Sequence, residues 1–286
     1  MPMREYGKTG VKLSIIGFPG FALRGMESRR INRIVGQAVE RGVNYFDVAP
    51  EYDNAEELLG PALEPYRKDV FLACKTGKRN AEGAAADLKR SFERLRTDHF
   101  DLYQLHHLGT PGDNVDQAFA KGGALEVLIQ AKKDGRARFL GFSAHSEEAA
   151  LTAMDRYDFD SVLYPVNFAC LHKGKWGHRI MARAKDKGVA QLALKALARQ
   201  KWPDKAFRSP HYSNCWYQPL SDLDEADLSL RYTLSQPVVA AVAPASEFLF
   251  YPAMDLAMDV TPIKPDEEKR LMALADTLNP LFPQEK

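Results

Sequence analysis

GVNYFDVAPEYDNAEELLG, residues 42–60, sets an acid at the end of a short apolar run and a phenol five residues later. Val43, Tyr45 and Phe46 read as a buried strand that stops at Asp47, and Pro50 breaks the chain so that Tyr52 falls in a loop. Roughly thirty residues on, the apolar run VFLAC ends in Lys75; roughly thirty further, FDLYQL ends in His106 and His107. Acid, phenol, ammonium and imidazole thus recur at the carboxyl ends of consecutive strands.

Outward from this stretch the same unit repeats. Met3 to Ser14, with Gly7 and Gly10, predicts a hairpin or cap, and Leu13 to Gly17 a first strand. Ser28 is expected to cap a helix with one apolar face that Gly42 ends. Asn44 to Val48, Val70 to Lys75 and Phe100 to His106 are the next strands, with helices from about Ala55 to Leu63 and from an Asn80 cap to about Leu95 between them. Asn114 is expected to cap a helix to about Asp134; RFLGFS, Ser161 to Val166, VAQLALKAL and VVAAVA complete eight strands. Helices capped by Ser146, near His178 to Lys187 and from Leu220 to Ser235 separate them, and helices near Pro252 to Met258 and Asp266 to Leu278 close the chain. Apolar runs without alternation call for parallel strands buried on both faces. Eight such units in a chain of 286 residues predict one (β/α)8 TIM barrel domain, with an N-terminal β-hairpin cap and extra C-terminal helices. An open doubly wound sheet is the competing α/β arrangement, but no strand is followed by GxGxxG.

Composition excludes several classes. A hydrophobic fraction of 45% and a charged fraction of 27% suit a full core, and a net charge of +1 gives no footprint for nucleic acid or an anionic membrane. No apolar run approaches the ~18 residues that span a bilayer. The first residues, MPMREYGKTGVKLS, lack the core of a signal peptide, and Cys74, Cys170 and Cys215 stand far apart without CxxC spacing. Reduced thiols in the cytoplasm are the expectation.

In a barrel, strands two to four are neighbours, so Asp47, Lys75 and His106 are expected to converge at one rim with Tyr52 above them. A phenol needs its anion stabilised to give up a proton near neutrality, and a lysine ammonium lowers its pKa by about 1–3 units. Asp47 would hold that lysine, and His106 would donate to a substrate oxygen. Each residue also has a plainer reading: Asp47 as a turn former, Tyr52 as packing, and one of His106 and His107 turned away by strand alternation. The irregular segment RQKWPDKAFRSPHYSNCWYQP, with Trp202, Phe207, Tyr212, Trp216 and Tyr217, follows the seventh strand and reads either as a pocket wall or as a cluster packed on the rim. His107, Trp202, Trp216 and Tyr217 are the candidate substrate contacts.

Three blocks resemble the aldo-keto reductase superfamily. They are Asp47, Ala49, Tyr52, Glu56 or Glu57, and Gly60; then DLKRSFERLRTDHFDLYQLH, with Leu88, Ser91, Leu95, Asp98, Asp101 and His106 in register; then GRARFLGFS, residues 135–143. The opening REYGKTGVKLSIIGF is similar to that family's N-terminal hairpin. The resemblance implies NADPH or NADH as cofactor and a small-molecule carbonyl substrate in a monomer or weak oligomer. It also implies a tetrad of Asp47, Tyr52, Lys75 and His106, with Tyr52 protonating the forming alkoxide. Cofactor contacts are placed at Gly20, Phe21, Ser143, His145, Asn167, Leu194, Lys195, Ala245, Ser246 and Glu247. Several depart from the family pattern: Ala144 and His145 follow Ser143 where Asn is usual, Leu163 stands for a glutamine, and Leu194 for the aromatic that stacks on nicotinamide. APASEFLFYPAMDLAMDV, after the eighth strand, holds no Lys or Arg, so Glu247 is expected to repel a 2′-phosphate and to accept from a ribose hydroxyl. Lys195, Arg199, Lys201, Lys205 and Arg208 either supply a phosphate contact or form a solvated surface. Two other readings stay open: a barrel that binds but no longer turns over, and a metal hydrolase using His106, His145 and Asp47, for which no HxH or HExxH spacing exists.

Overall fold

Strands that are apolar on both faces must be covered once by helices and once by each other, and these close into a barrel. The computed structural model describes residues 1–109, 115–204 and 206–284, so the expected cap at Asn114 and the cation Lys205 lie outside the described residues. An antiparallel hairpin, β1 (Met3–Glu5) and β2 (Lys12–Ser14), comes first. The barrel strands are β3 (Ile16–Pro19), β4 (Tyr45–Asp47), β5 (Phe71–Thr76), β6 (Phe100–Leu108), β7 (Ala137–Ala144), β8 (Ser161–Pro165) and β9 (Ala190–Leu194). A ribbon of β10 (Ala198–Gln200) and β11 (Gln218–Pro219) follows, and β12 (Ala240–Val242) closes the ring between β9 and β3. Every neighbouring pair in the ring is parallel. This is the expected (β/α)8 architecture, and the open sheet is excluded.

Local chemistry sets most helix ends. The Asn80 side chain accepts the Gly83 amide at 2.8 Å and starts Ala81–Leu95; the Ser146 hydroxyl does the same for Glu147–Arg156; Gly188, at φ 70°, ends His178–Lys187. Other expectations shift. Ser28 lies inside its helix, Ser28–Glu40, with Glu27 at the cap position and no side-chain cap bond there. The stretch to Asp134 is broken into Val115–Phe119 and Ala124–Lys133 by Gly122 at φ 76° and Gly123. The helix after β12 begins at Glu247 and carries Pro252 within it. A five-residue helix, Phe168–His172, capped by Asn167, has no periodicity by which it could be foreseen.

Alternation along the strands separates two cores. Tyr45, Phe71, Ala73, Leu102, Leu163, Leu192 and Val242 fill the barrel together with Tyr6 and Leu13 of the hairpin, whereas Phe46, Leu72, Cys74, Tyr103 and Leu105 face the helices. The Tyr6 ring sits 5.2 Å from Phe71, so the hairpin plugs the amino-terminal end of the barrel. Polar residues in phase with this apolar set (Asp47 after Tyr45, Lys75 after Ala73, Gln104 and His106 after Leu102) therefore lie toward the other mouth. Gly60 holds the helix layer close: a Cβ there would collide with the Arg94 carbonyl of Ala81–Leu95.

Candidate active site

At the carboxyl-terminal mouth a cavity of about 260 Å³ is bounded by Asp47, Tyr52, Lys75 and His106 on one side. Pairing of β4 with β5 and of β5 with β6 sets Asp47 opposite Ala73 and Lys75 opposite Gln104, so three adjacent strands deliver these groups to one rim. Lys75 and Asp47 form a buried ion pair, and the ammonium also donates to the Val48 carbonyl at 3.1 Å. Tyr45 donates to Asp47 at 3.2 Å, and the Gln104 amide at 3.4 Å, so the carboxylate is hydrogen-bonded from three directions. Burial alone would lower the Lys75 pKa, yet Asp47 and Tyr52 beside it raise it overall.

Tyr52 is half-buried, with the Lys75 ammonium 5.2 Å from its ring centre and the His106 ring 5.6 Å away. Its pKa does not fall as expected. Loss of solvent pushes it up to about 12, and this outweighs the lowering by Lys75, which the negative charge of Asp47 further offsets. The phenol is therefore held protonated at rest.

His106 is buried, and its Nδ1 lies 2.8 Å from Glu51, a residue the sequence reading did not single out. The other Glu51 oxygen accepts the Gly77 amide at 2.8 Å. A carboxylate only accepts, so Nδ1 carries the hydrogen. Burial first, then His107 and Lys75, hold the His106 pKa well below its usual value. The ring is thus neutral, which leaves Nε2 an acceptor and not the donor expected from sequence. His107 is not turned away either. It adopts φ 60°, the β6–β7 register slips between Leu105 and Leu108, and its amide donates to the Ser143 hydroxyl at 2.9 Å. Both imidazoles line the cavity, 3.7 Å apart between ring centres.

Gly20, Phe21, Ser143, His145, Leu194, Lys195 and Ala245 also line it, joined by Pro19, Leu163, Asn214, Val242 and Ala243, with the Phe21 ring against Tyr52 at 4.9 Å. Three expected cofactor residues are not among the lining. Asn167 spends its side chain on the fold, accepting the Cys170 amide at 2.9 Å and donating to the Lys195 carbonyl at 3.2 Å. The Ser246 hydroxyl donates to the His211 carbonyl at 2.7 Å. Glu247 is clasped by Arg30, whose Nε donates to it at 2.7 Å. Its charge is therefore neutralised, and the region holds a cation that comes from a helix 217 residues away in sequence. Of the other candidate cations, Arg199 pairs with Glu225 at 3.2 Å and Arg208 lies over Trp202 at 5.2 Å.

The irregular segment divides. Trp216 and Tyr217 line the cavity, while Trp202 donates to the Cys215 carbonyl at 3.0 Å outside it and Phe207 is exposed. Tyr217 also packs with Cys170, Ala198 and Leu281, so this stretch serves as both wall and rim cluster. Among the described residues, no group of three or more His, Cys, Asp or Glu side chains is placed to hold a metal ion, and no helix is long and apolar enough to cross a membrane.

The model of the Aldo/keto reductase family matches residues 15–247. The chain is 28% identical over 275 residues to the uncharacterized oxidoreductase YqkF of Bacillus subtilis, covering 85% of this chain and 86% of that one. It is 27% identical over 219 residues to L-galactose dehydrogenase of Arabidopsis thaliana, covering 68% and 65%. The holo form of aldo-keto reductase AKR11C1 from Bacillus halodurans superposes over the whole of both chains with a TM-score of 0.75 at 24% identity. That likeness is one of fold.

Proposed function

Because the chain belongs to the aldo/keto reductase family, we propose that it reduces a small aldehyde or ketone to the alcohol with NADH or NADPH, in the cavity bounded by Asp47, Tyr52, Lys75 and His106. The observation that carries this reading is the buried Lys75–Asp47 pair beside a phenol held in its protonated form. The opposite wall suits a nicotinamide ring. Leu163, Leu194, Val242, Ala243 and Ala245 give it an aliphatic face. Ser143, whose oxygen accepts from His107, keeps its hydroxyl hydrogen for a carboxamide. When bound, the cofactor supplies the hydride that reaches the carbonyl carbon.

The chain's own residues do the rest. Tyr52 donates its proton to the carbonyl oxygen as negative charge develops there; an alkoxide is far more basic than even this raised phenol, so the transfer runs downhill. Lys75 then stabilises the phenolate, and Asp47 keeps Lys75 charged and in place. His106, with Nδ1 committed to Glu51, offers Nε2 as an acceptor for a hydroxyl of the substrate or for a water at the cavity floor. Because Arg30 neutralises Glu247, the adenosine end favours neither cofactor on charge alone.

Parallel titrations with NADH and NADPH, read by quenching of tryptophan fluorescence, and steady-state reduction of short aldehydes test this. Absence of binding at millimolar cofactor would overturn it. Asn167, closed off by its own hydrogen bonds, favours a second reading in which the barrel binds without turnover; measurable reduction of any aldehyde in the panel excludes that.

A further inference from the structure

We propose that Lys195 and His145 form an oxyanion subsite in this cavity, filled by a carboxylate or phosphate group carried on the substrate at a distance from its carbonyl. The inference rests on the proposed reading that this cavity is where substrate binds. Lys195 is 8% exposed and lines the cavity, and its Nζ donates to His145 Nε2 at 3.1 Å. Among the described residues it makes no ion pair with a carboxylate, in contrast to Lys75 on the far wall. An ammonium buried without a counter-charge is costly to keep unless something else supplies the charge.

The neighbours shape a site and do not neutralise it. The Trp216 and Phe282 rings lie 5.5 and 5.6 Å from Nζ, and the His145 ring stacks on Phe282 at 5.3 Å. These rings give the ammonium weak cation–π support, well short of what a carboxylate gives. The imidazole accepts from Lys195, so its hydrogen sits on Nδ1; burial and the lysine keep its pKa well below the usual value. Burial also lowers Lys195 to about 8, where a bound anion would return it to the fully charged form.

Backbone strain points the same way. Lys195 at φ 64° and His107 at φ 60° both occupy the left-handed region that non-glycine residues avoid, and both line the cavity. The rings around Nζ argue for substrate, although Lys195 adjoins Leu194 on the wall given to the nicotinamide. Trp216 belongs to the irregular segment after β9 and Phe282 to the chain end; neither belongs to the stretch after β12 that would face the adenosine half. Because the nicotinamide is proposed to share this cavity, the occupant is expected to be a short chain, such as an aldehyde of a few carbons ending in a carboxylate.

The test compares 4-oxobutanoate with butanal, matched in length and differing in the carboxylate. It uses the wild-type protein, Lys195→Met and Lys195→Arg. The ratio of kcat/KM for the anionic over the neutral aldehyde is expected to fall at least tenfold in Lys195→Met, through KM, and to recover in Lys195→Arg. A loss of NADH and NADPH affinity with this ratio intact would give the subsite to the cofactor and overturn the proposal. Binding of succinate to the cofactor-free protein, read by the fluorescence of Trp216 with Trp216→Phe as control, needs no turnover. Saturable binding lost in Lys195→Met supports the subsite even where neither aldehyde is reduced; equal or absent binding in both proteins sinks it.

Discussion

His106 Nδ1 and a Glu51 carboxylate oxygen lie 2.8 Å apart, and the second oxygen of that carboxylate is anchored by the Gly77 amide. The pair fixes which ring nitrogen carries hydrogen, and so decides whether His106 offers the cavity a donor or an acceptor. Removing the carboxylate in Glu51→Ala frees the choice. The ¹⁵N resonances of His106 are expected to report the Nδ1–H tautomer in the wild type and a mixture in the variant. The value of kcat/KM is expected to change by about tenfold, the equivalent of about 1.4 kcal/mol. Unaltered ¹⁵N shifts would show that Glu51 does not position the ring.

Tyr52→Phe deletes the proposed acid and nothing else of size. A drop in kcat of roughly 10²-fold or more is expected, with the cofactor-induced fluorescence change kept. Since burial pushes the phenol up to about 12, it stays protonated below that pH, and loss of its proton should not limit reduction between pH 6 and 10. A rate falling along a titration near pH 9 in the wild type, for a neutral aldehyde, would contradict the raised value.

How far this arrangement could be read in the chain depends on how local each determinant is. Asp47, Lys75 and His106 share a strand-end position and the in-phase alternation of a barrel interior, both visible as periodicity. Glu51 could not be found that way. Its meeting with His106 depends on how the loop after β4 bends toward β6, and the only signal was an acid directly before Tyr52. The alternation that would turn one of His106 and His107 away presumes extended backbone, and the positive φ of His107 breaks the phase, so the candidate substrate contact His107 lines the cavity beside His106. Trp202 and Trp216 look alike in sequence; the β10–β11 ribbon, which pairs Ala198 with Pro219, folds one outside and the other onto the cavity. Arg30 and Glu247 meet because the barrel closes β12 against β3, a contact that no local pattern announces.

Lys75 and Asp47 predict a stability effect that depends on removing one partner or both. Lys75→Met strands a buried carboxylate, and a loss of about 3–5 kcal/mol is expected in urea unfolding. The double variant Asp47→Leu/Lys75→Met is expected to recover part of it, because two apolar side chains need no compensating charge. The Lys75 pKa is raised in the folded protein, so its contribution is fully present below the unfolded value and fades as pH rises through the folded one. A double variant no more stable than the worse single variant would mean that packing, and not charge, sets the cost.

Lys195 predicts the opposite sign. Its pKa falls from 10.5 to about 8 on folding, burial being the main cause, so the folded state binds fewer protons than the unfolded state between these values. Stability therefore rises with pH across that window, and at pH 7 the protein carries nearly the whole penalty, on the order of 3 kcal/mol. Lys195→Met is expected to be more stable than the wild type at pH 7 by an amount of that order, and the gap should close as pH approaches 10. Groups that do not feel the Lys195 charge are common to both proteins and cancel in the difference; Cys170, His107 and His145, which do feel it, are among the exceptions. Saturating succinate should narrow the gap at pH 7 by stabilising only the wild type, since a ligand bound solely by the folded lysine adds its binding free energy to folding. A Lys195→Met protein less stable than the wild type at pH 7 would show that the ammonium already has its counter-charge. The lysine would then be part of the fold and not a place kept for an anion.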